Sequence, residues 1–256
     1  MEVFGQTRSR VTSHYALITP DTHVTSPLID WEQTSAIVHI SPEMGARFTQ
    51  YTATMEPGGR SGLPGPAIQR FVYVLQGSVS LSLSTSGDSK TAENQELETG
   101  AYVFVPADTQ HLLESEKGAR LVVFEKPFQS HPDFDSPGPV VGHQRDVPGE
   151  PFLGDEDARL QTFLPIEPEY DMAVNLFTYQ PGATLPFVEI HSMEHGLLMT
   201  GGKGVYRLGE DYFPVAEGDV IWMASYCPQW FVAMGKTPGS YLYYKDIHRD
   251  RLTEKK

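Results

Sequence analysis

Short stretches in which apolar and polar residues alternate recur along most of the chain. They are rich in β-branched and aromatic residues and are bounded by Gly, Pro or Asp, which is typical of β-strands. In the first half, strands are predicted at 36–40, 46–51, 71–75, 78–83, 101–105 and 119–125. In the second half, they are predicted at 172–179, 196–200, 204–208, 220–224 and 240–244. Only short helical segments are expected, so the pattern predicts an all-β fold.

The two halves also carry one pattern of turn residues, which indicates an internal repeat. In order, the matched positions are Pro57-Gly58 and Pro181-Gly182, Gly77 and Gly202, Gly100 and Gly218, and His111 and Gln229. The offset is 124 or 125 residues for the first two matches and 118 for the last two. We interpret the polar segment 84–90 as a flexible hairpin loop inserted in the first half, which accounts for the difference.

The repeat and a proline-rich segment between the halves predict the domain organisation. Six prolines lie among polar residues in 127–159, and proline removes a backbone donor, so this segment is predicted to be an extended linker. The remaining parts are an N-terminal arm at 1–35, an N-terminal domain at 36–126 and a C-terminal domain at 160–256.

Composition narrows the possible partners and surroundings. The chain has 256 residues, a formal net charge of −14 and one cysteine, Cys227. An acidic surface disfavours nucleic acid and anionic membranes as partners, and a single cysteine excludes a disulfide within the chain. No apolar run reaches the length of a signal peptide near the start, or of a membrane span anywhere. We therefore expect a cytoplasmic protein with neither a membrane nor a nucleic-acid partner.

Only the second copy of the repeat carries a set of metal-ligand side chains. Glu189, His191 and His195 lie close together in the sequence, and Gln229 follows on a later predicted strand. In the first half, Pro64, Pro66 and Arg70 occupy the places that correspond to Glu189, His191 and His195.

These motifs resemble those of the cupin superfamily, small β-barrels of jelly-roll type. A cupin has a glycine, a His-x-His pair, a Glu and a closing glycine, and then a second motif that ends in His. Here Gly182 and Gly202 enclose a set in which the first His is Glu189 and the Glu is His195, and Gln229 replaces the last His. The resemblance implies a bicupin, two tandem jelly-roll-type cupin β-barrels, with a metal site in the C-terminal barrel alone.

The spacing agrees with a shared site. On a strand, Glu189 and His191 point to the same face because side chains alternate with period two. His195 can return to the same interior after a turn, and Gln229 can close the site from across the barrel. Two imidazoles, a carboxylate and an amide oxygen suit Mn²⁺, with Fe²⁺, Ni²⁺, Co²⁺ or Zn²⁺ as alternatives.

The Glu-x-His-x3-His…Gln quartet is similar to that of the (S)-ureidoglycine aminohydrolase family, manganese-dependent bicupins of purine and allantoin breakdown. Segments 16–21, 194–196, 202–206 and 240–246 extend the similarity over nearly the whole chain. It implies one Mn²⁺ per chain, held by Glu189, His191, His195 and Gln229. The implied substrate contacts are Glu189, Gln229, Tyr206, Tyr241 and Lys245, of which Glu189, Tyr241 and Lys245 are the catalytic candidates.

The same resemblance implies a hydrolase that converts (S)-ureidoglycine, a small ureido amino acid, and water to (S)-ureidoglycolate and ammonia. It also implies a homo-oligomer. Plant members of the family carry a targeting segment that this chain lacks, which again favours a cytosolic setting.

Several alternatives stay open from the sequence. Lys245 could be a solvated lysine at a strand end, since Lys126 occupies the equivalent place at an offset of 119 residues. His111 is expected to pack or form hydrogen bonds rather than bind metal, and Cys227 to be a small buried residue. The rival functions are a bicupin oxygenase or decarboxylase, and a cupin binding protein without turnover.

Overall fold

The computed structural model describes residues 7–84 and 94–250 and contains 20 strands. The first ten are β1 Arg10–Val11, β2 Tyr15–Ile18, β3 Ser26–Pro27, β4 Glu32–Ile40, β5 Thr49–Arg60, β6 Ile68–Leu83, β7 Asn94–Glu98, β8 Ala101–Val105, β9 His111–Ser115 and β10 Ala119–Pro127. The others are β11 Val140–His143, β12 Glu150–Phe152, β13 Asp155–Thr162, β14 Met172–Tyr179, β15 His195–Gly201, β16 Lys203–Leu208, β17 Asp211–Ala216, β18 Val220–Met223, β19 Gln229–Met234 and β20 Gly239–Asp246.

The helical segments in the described part of the chain are three short 3₁₀ turns, at Pro20–Thr22, Pro42–Met44 and Gln144–Asp146. No helix among these residues has the length and apolar character needed to cross a membrane. The all-β prediction is confirmed. The loop predicted at 84–90 falls almost wholly outside the described residues.

The chain divides into two compact units. One contains residues 147–250 together with 7–23 and 44–46, and the other contains 24–43 and 47–146. The segment predicted as a linker, 127–159, includes β11, β12 and the first half of β13. The N-terminal segment 15–18 pairs with β18 because its apolar side chains at Tyr15, Ala16 and Leu17 are buried against the C-terminal sheet. The domain boundaries drawn from the sequence stay predictions.

The C-terminal unit consists of two antiparallel sheets around one apolar core. The larger sheet has the strand order β1-β2-β18-β15-β20-β14-β13-β12, and the smaller one has the order β17-β16-β19. Aromatic and aliphatic side chains from the two sheets pack together, among them Phe177, Tyr179, Tyr206, Phe231 and Tyr241. Alternate residues of β14, β16, β19 and β20 supply this core, as the period of two in a strand requires.

The N-terminal unit is built around β6, a 16-residue strand that replaces the two strands predicted at 71–75 and 78–83. The order along its sheet is β11-β8-β6-β10-β5-β4-β3, with β7 and β9 paired to the far end of β6. The prediction split this strand because Gly77 is typical of a turn. In the structure Gly77 has φ +77° and pairs with Ala119 within one continuous strand, and the irregularity in the pairing lies just before it, between Val74 and Gln76.

The repeated glycines Gly77 and Gly202 serve one purpose in both units. Gly202 has φ +67°, and a Cβ atom there would lie 2.2 Å from the carbonyl oxygen of Pro238. At Gly77 a Cβ atom would lie 2.3 Å from the carbonyl oxygen of Gly118. A neighbouring turn passes so close at each position that only glycine fits. This close approach gives the glycine matches of the repeat a physical cause.

Candidate metal and substrate site

A cavity of about 140 Å³ opens inside the C-terminal unit. It brings together all seven candidate residues from the sequence and one more polar residue: Glu189, His191, His195, Tyr206, Gln229, Tyr241, Lys245 and the added tyrosine, Tyr243. Apolar walls complete it, formed by Phe152, Leu160, Phe177, Met193, Leu197 and Met223. Polar groups that converge on one cavity with apolar walls are typical of a small-molecule site.

Backbone pairing fixes the positions of the ligand candidates. His195 is the first residue of β15 and Gln229 the first residue of β19. Glu189 precedes β15 in an extended segment, where its N–H donates to the Gln229 carbonyl at 2.9 Å and its carbonyl accepts from the Gln229 N–H at 3.0 Å. His191 is held by its carbonyl, which accepts from the Tyr226 N–H at 2.7 Å. The segment that carries Glu189 and His191 is thereby fastened to the strand that carries Gln229.

The imidazoles of His191 and His195 face each other, with their Nε2 atoms 3.1 Å apart. His191 Nδ1 lies 3.1 Å from the carbonyl oxygen of Met193 and donates its proton there, so Nε2 presents its lone pair to the cavity. Two ligands about 2.1 Å from one ion and at right angles to each other lie about 3 Å apart. The separation of the two nitrogens therefore fits a shared metal ion.

The Gln229 amide lies beside the His191 imidazole. Its Nε2 is 2.9 Å from His191 Nε2, and its Oε1 accepts a hydrogen bond from the Tyr206 hydroxyl at 3.2 Å. A half-turn of the amide exchanges oxygen and nitrogen and points the oxygen at that imidazole. Tyr206 can satisfy either orientation, because a hydroxyl both donates and accepts. The amide can thus serve as an oxygen ligand without losing its partner.

The candidate donor set consists of two imidazoles, one carboxylate and this amide, and in the structure the Glu189 carboxylate does not form a ligand group with the two imidazoles. Within residues 7–84 and 94–250, no three His, Cys, Asp or Glu side chains lie close enough to hold a metal ion by themselves. Glu189 lines the same cavity as the two imidazoles and supplies the one negative charge among the four candidate ligands. Imidazole nitrogen combined with carboxylate and amide oxygen is a borderline-to-hard set that suits Mn²⁺ and its neighbours in the first transition row.

Strand β20 presents a row of polar groups to the cavity. Tyr241 and Lys245 lie four residues apart on one face, as the sequence predicted, and Tyr243 lies between them on the same face. The sequence interpretation missed Tyr243, although the period of two that selected its neighbours selects it as well. Its ring lies 5.6 Å from that of His195, between centroids.

Buried hydroxyls extend from the site into the core. The hydroxyls of Tyr179 and Tyr241 are 3.0 Å apart. Tyr179 is fully buried, and its tilted ring lies 5.8 Å from the Tyr241 ring. Tyr241 is thus held at both its ring and its hydroxyl, which restricts the rotation of a side chain that faces the cavity.

Burial sets the protonation of the site. It raises the pKa of Glu189, and the Lys245 ammonium opposes that rise. It lowers the pKa of His191, and it lowers that of His195 well below the ordinary value, aided by the nearby His191 and Lys245 charges. Both imidazoles are therefore neutral near pH 7, which is the form that binds a metal. Burial also lowers the pKa of Lys245, against the attraction of Glu189.

No protein-family model matches the chain. The chain is 41% identical to a probable (S)-ureidoglycine aminohydrolase of Oryza sativa subsp. japonica, over 97% of this chain and 78% of that protein. It is 40% identical to the (S)-ureidoglycine aminohydrolase of Arabidopsis thaliana, over 97% of this chain and 80% of that protein. The chain belongs to the (S)-ureidoglycine aminohydrolase family.

Solved structures support the fold of this (S)-ureidoglycine aminohydrolase family member. Protein Ylba from Escherichia coli matches with a TM-score of 0.82 at 27% identity, over 96% of both chains. A putative glyoxylate-induced protein from Pseudomonas aeruginosa matches with a TM-score of 0.87 at 28% identity, over 100% of this chain and 96% of the other. Oxalate decarboxylase from Bacillus subtilis, at 12% identity and a TM-score of 0.69 over 89% and 76% of the two chains, shares the fold alone. The bicupin prediction is confirmed.

One alternative raised by the sequence rests on an incorrect match. In this (S)-ureidoglycine aminohydrolase family member, His195 is paired with Lys245, and Arg70, which corresponds to His195, is paired with Glu125. Glu125, and not Lys126, therefore stands at the place of Lys245. The offset of 119 residues misplaced the match by one residue, because glycine spacing does not define strand register. The repeat gives no reason to regard Lys245 as an inherited strand-end lysine.

The other two expectations concern His111 and Cys227. His111 is buried, and its two ring nitrogens lie 2.9 Å from Arg70 Nη1 and 2.9 Å from the Thr109 carbonyl oxygen. It is a hydrogen-bonding histidine, as predicted. Cys227 is buried too, and burial raises the pKa of its thiol, which disfavours a nucleophilic role.

Proposed function

We propose that this protein is an (S)-ureidoglycine aminohydrolase that hydrolyses (S)-ureidoglycine to (S)-ureidoglycolate and ammonia with one Mn²⁺ per chain. The observation that carries the proposal is the convergence of the His191 and His195 Nε2 atoms and the Gln229 amide in one cavity of a chain from this family. In the reaction, the bond between the α-carbon and the amino nitrogen breaks, and a bond to the oxygen of water forms. The nitrogen leaves as ammonia.

Glu189, His191, His195 and Gln229 would hold the metal. In that role Glu189 would supply carboxylate oxygen and Gln229 amide oxygen beside the two imidazole nitrogens. When bound, Mn²⁺ would supply a Lewis-acid charge and a template for the substrate. A cavity of about 140 Å³ suits a compact polar molecule, because pockets that bind drug-sized ligands have volumes of roughly 300–1,000 Å³.

The remaining polar groups bind and orient the substrate. Lys245 and Tyr241 hold the substrate carboxylate or ureido group, and Tyr206 and Gln229 border the same space. Because the charged and hydroxyl groups come from one face of β20, they can fix which enantiomer binds. Glu189 combines a raised pKa with a place in the cavity, so it is our candidate for transferring the proton to the leaving amine.

The setting of the activity is proposed from the sequence. A cytoplasmic location, a homo-oligomeric assembly and a role in allantoin breakdown remain sequence predictions. The partner required by the chemistry is a small ureido amino acid.

A coupled assay tests this proposal. Allantoate and allantoate amidohydrolase generate ureidoglycine, and purified protein with Mn²⁺ is then added while ammonia and the chirality of ureidoglycolate are followed. We expect accelerated ammonia release and the (S)-enantiomer. Protein stripped of metal with a chelator is the control, and racemic product formed at the spontaneous rate would contradict the assignment. Oxygen consumption or carbon dioxide release would instead favour an oxygenase or decarboxylase.

A further inference from the structure

The N-terminal barrel has an interior position that corresponds to the candidate metal site. Arg70 is paired with Glu125 as His195 is paired with Lys245. Leu83 is paired with His111 as Leu208 is paired with Gln229. Strand register therefore places Arg70 where the second barrel has one imidazole ligand and His111 where it has the amide.

Three acceptors converge on the Arg70 guanidinium. Nε donates to Glu125 Oε1 at 2.7 Å, and Nη1 donates to the Gly62 carbonyl oxygen at 2.8 Å. Nη1 also lies 2.9 Å from His111 Nε2. Only 2% of the Arg70 side chain is exposed, so these contacts replace water almost completely. A carboxylate, a carbonyl and an imidazole are groups that hold a cation.

The orientation of His111 matches that of a ligand imidazole. Its Nδ1 lies 2.9 Å from the Thr109 carbonyl oxygen and donates a proton there, which leaves the Nε2 lone pair facing the guanidinium. His191 has the same arrangement, with Nδ1 bonded to a carbonyl and Nε2 toward the cavity. The N-terminal barrel thus keeps the oriented imidazole, but a positive side chain stands in front of it.

We propose that the N-terminal barrel contains a cation site filled from within, in which the Arg70 guanidinium occupies the position of a metal ion. Glu125, Gly62 and His111 form the acceptor set, and a free alkylguanidinium ion can enter it when the Arg70 side chain is removed. The resident guanidinium keeps divalent metals out of this barrel. The proposal concerns the N-terminal barrel only and does not depend on the reaction in the other one.

The competing interpretation is an arginine that fills space and forms an ordinary ion pair. In that case its truncation leaves a void that any small molecule or any added charge can relieve. A cation site makes a narrower prediction. It selects an ion that carries both the positive charge and the planar set of N–H donors.

Chemical rescue of Arg70→Ala distinguishes these interpretations. We expect its Tm to fall by roughly 10 °C, because the buried contacts of the guanidinium are lost and the half-buried Glu125 carboxylate loses its ion-pair partner. Ethylguanidinium at about 20 mM should restore roughly half of that loss by binding the folded state. Ethylammonium tests charge without shape, and ethylurea tests shape without charge. Arg120→Ala, an exposed arginine on the strand of Glu125, is the matched control and should respond to none of them.

The pattern of Tm recovery distinguishes a cation site from an ordinary ion pair. Selective recovery by ethylguanidinium supports the site, whereas equal recovery by all three additives, or by none, overturns it. A second comparison covers the case in which Arg70→Ala does not fold. Arg70→Met should be less stable to urea than the double variant Arg70→Met/Glu125→Leu, which also removes the stranded carboxylate. A single variant as stable as the double one would overturn the proposal.

Discussion

At the residue scale, the candidate metal ligands are oriented by hydrogen bonds from neighbouring groups. Tyr206 is 2% exposed and bonds the Gln229 amide, while the Met193 carbonyl sets the proton on His191. Partners of this kind orient metal ligands and contribute to affinity without touching the ion.

Removing the Tyr206 hydroxyl tests this positioning. In Tyr206→Phe, the Gln229 amide loses its partner and can rotate, so we expect the affinity for Mn²⁺ to fall by roughly tenfold or more. Competition with a metal-binding dye measures that affinity. Tyr212→Phe, which changes a tyrosine that is 60% exposed, is the control. Equal affinities in the two variants would contradict the role of Tyr206.

Glu189 is the candidate for proton transfer. Glu189→Gln keeps the size of the side chain and removes its charge, so we expect turnover to drop by roughly 100-fold or more in the coupled assay. Metal content measured on the same sample separates lost metal from lost chemistry. A variant that keeps both its manganese and full turnover would exclude Glu189 from catalysis.

His111 makes stability depend on pH. The pKa of His111 is lowered to about 4, mainly by burial and also by the charge of Arg70. The unfolded chain has a pKa near the ordinary value, so between about pH 4 and 6.5 it binds more protons than the folded protein, and stability falls as the pH falls. The group contributes about 3 kcal/mol above pH 6.5. Urea unfolding from pH 7 to pH 5 should show a smaller decrease for His111→Gln than for the unchanged protein, and equal decreases would contradict this origin.

At the scale of elements, the sequence predicted the regular strands well and the irregular ones poorly. Strands β8 and β14 have the predicted limits, because each is an apolar run that ends at a turn residue. Strand β9 was missed because its alternation, at His111–Ser115, includes polar residues on the buried side. The one-residue error at Lys126 has a similar origin, since only hydrogen-bonded register defines which residue is opposite another.

Gly202 and Gly182 both have a positive φ, but only Gly202 is approached closely by another part of the backbone. Gly202→Ala places a Cβ atom against a backbone oxygen and should lower the free energy of unfolding by about 2–4 kcal/mol. Gly182 has a similar φ of +90° but nothing within 4 Å of a Cβ atom, so Gly182→Ala should cost only about 1 kcal/mol. Urea denaturation measures both. Equal losses would show that backbone conformation, and not the approach of Pro238, requires glycine at 202.

At the scale of the whole molecule, the chain contains two related barrels of which one carries the candidate metal site. The sequence predicted this asymmetry because only the second copy of the repeat carries side chains of the types that bind metals. It could not predict that the buried Arg70 forms an ion pair with Glu125, because that contact depends on a strand pairing between residues 55 positions apart. Nor could it identify the hydroxyl contact between Tyr179 and Tyr241, which joins neighbouring strands.

This asymmetry predicts the metal content of the intact protein. Dialysis against a chelator should remove the metal, and titration with Mn²⁺ should restore one equivalent per chain, measured by elemental analysis. At about 100 times its dissociation constant, Mn²⁺ should stabilise the fold by about 2.7 kcal/mol, which a Tm increase would report. His195→Ala should abolish the increase, and His131→Ala, outside the site, should preserve it. Two equivalents per chain would contradict a metal-free N-terminal barrel.

Arg70 stands in the N-terminal barrel at the place where the C-terminal barrel has the imidazole of His195, and this difference limits how a metal site could form in the N-terminal barrel. Replacing Arg70 alone leaves the half-buried Glu125 carboxylate with the Tyr51 hydroxyl but without its ion-pair partner, which lowers the stability of the fold. Pro64, at the place of Glu189, has no N–H and cannot form the backbone pair that fastens the first ligand to the fourth. A metal site in the N-terminal barrel would therefore require substitutions at both Arg70 and Pro64, and the substitution of Arg70 alone lowers stability. The C-terminal barrel is therefore the one in which a single substitution can change the donor set of a metal site.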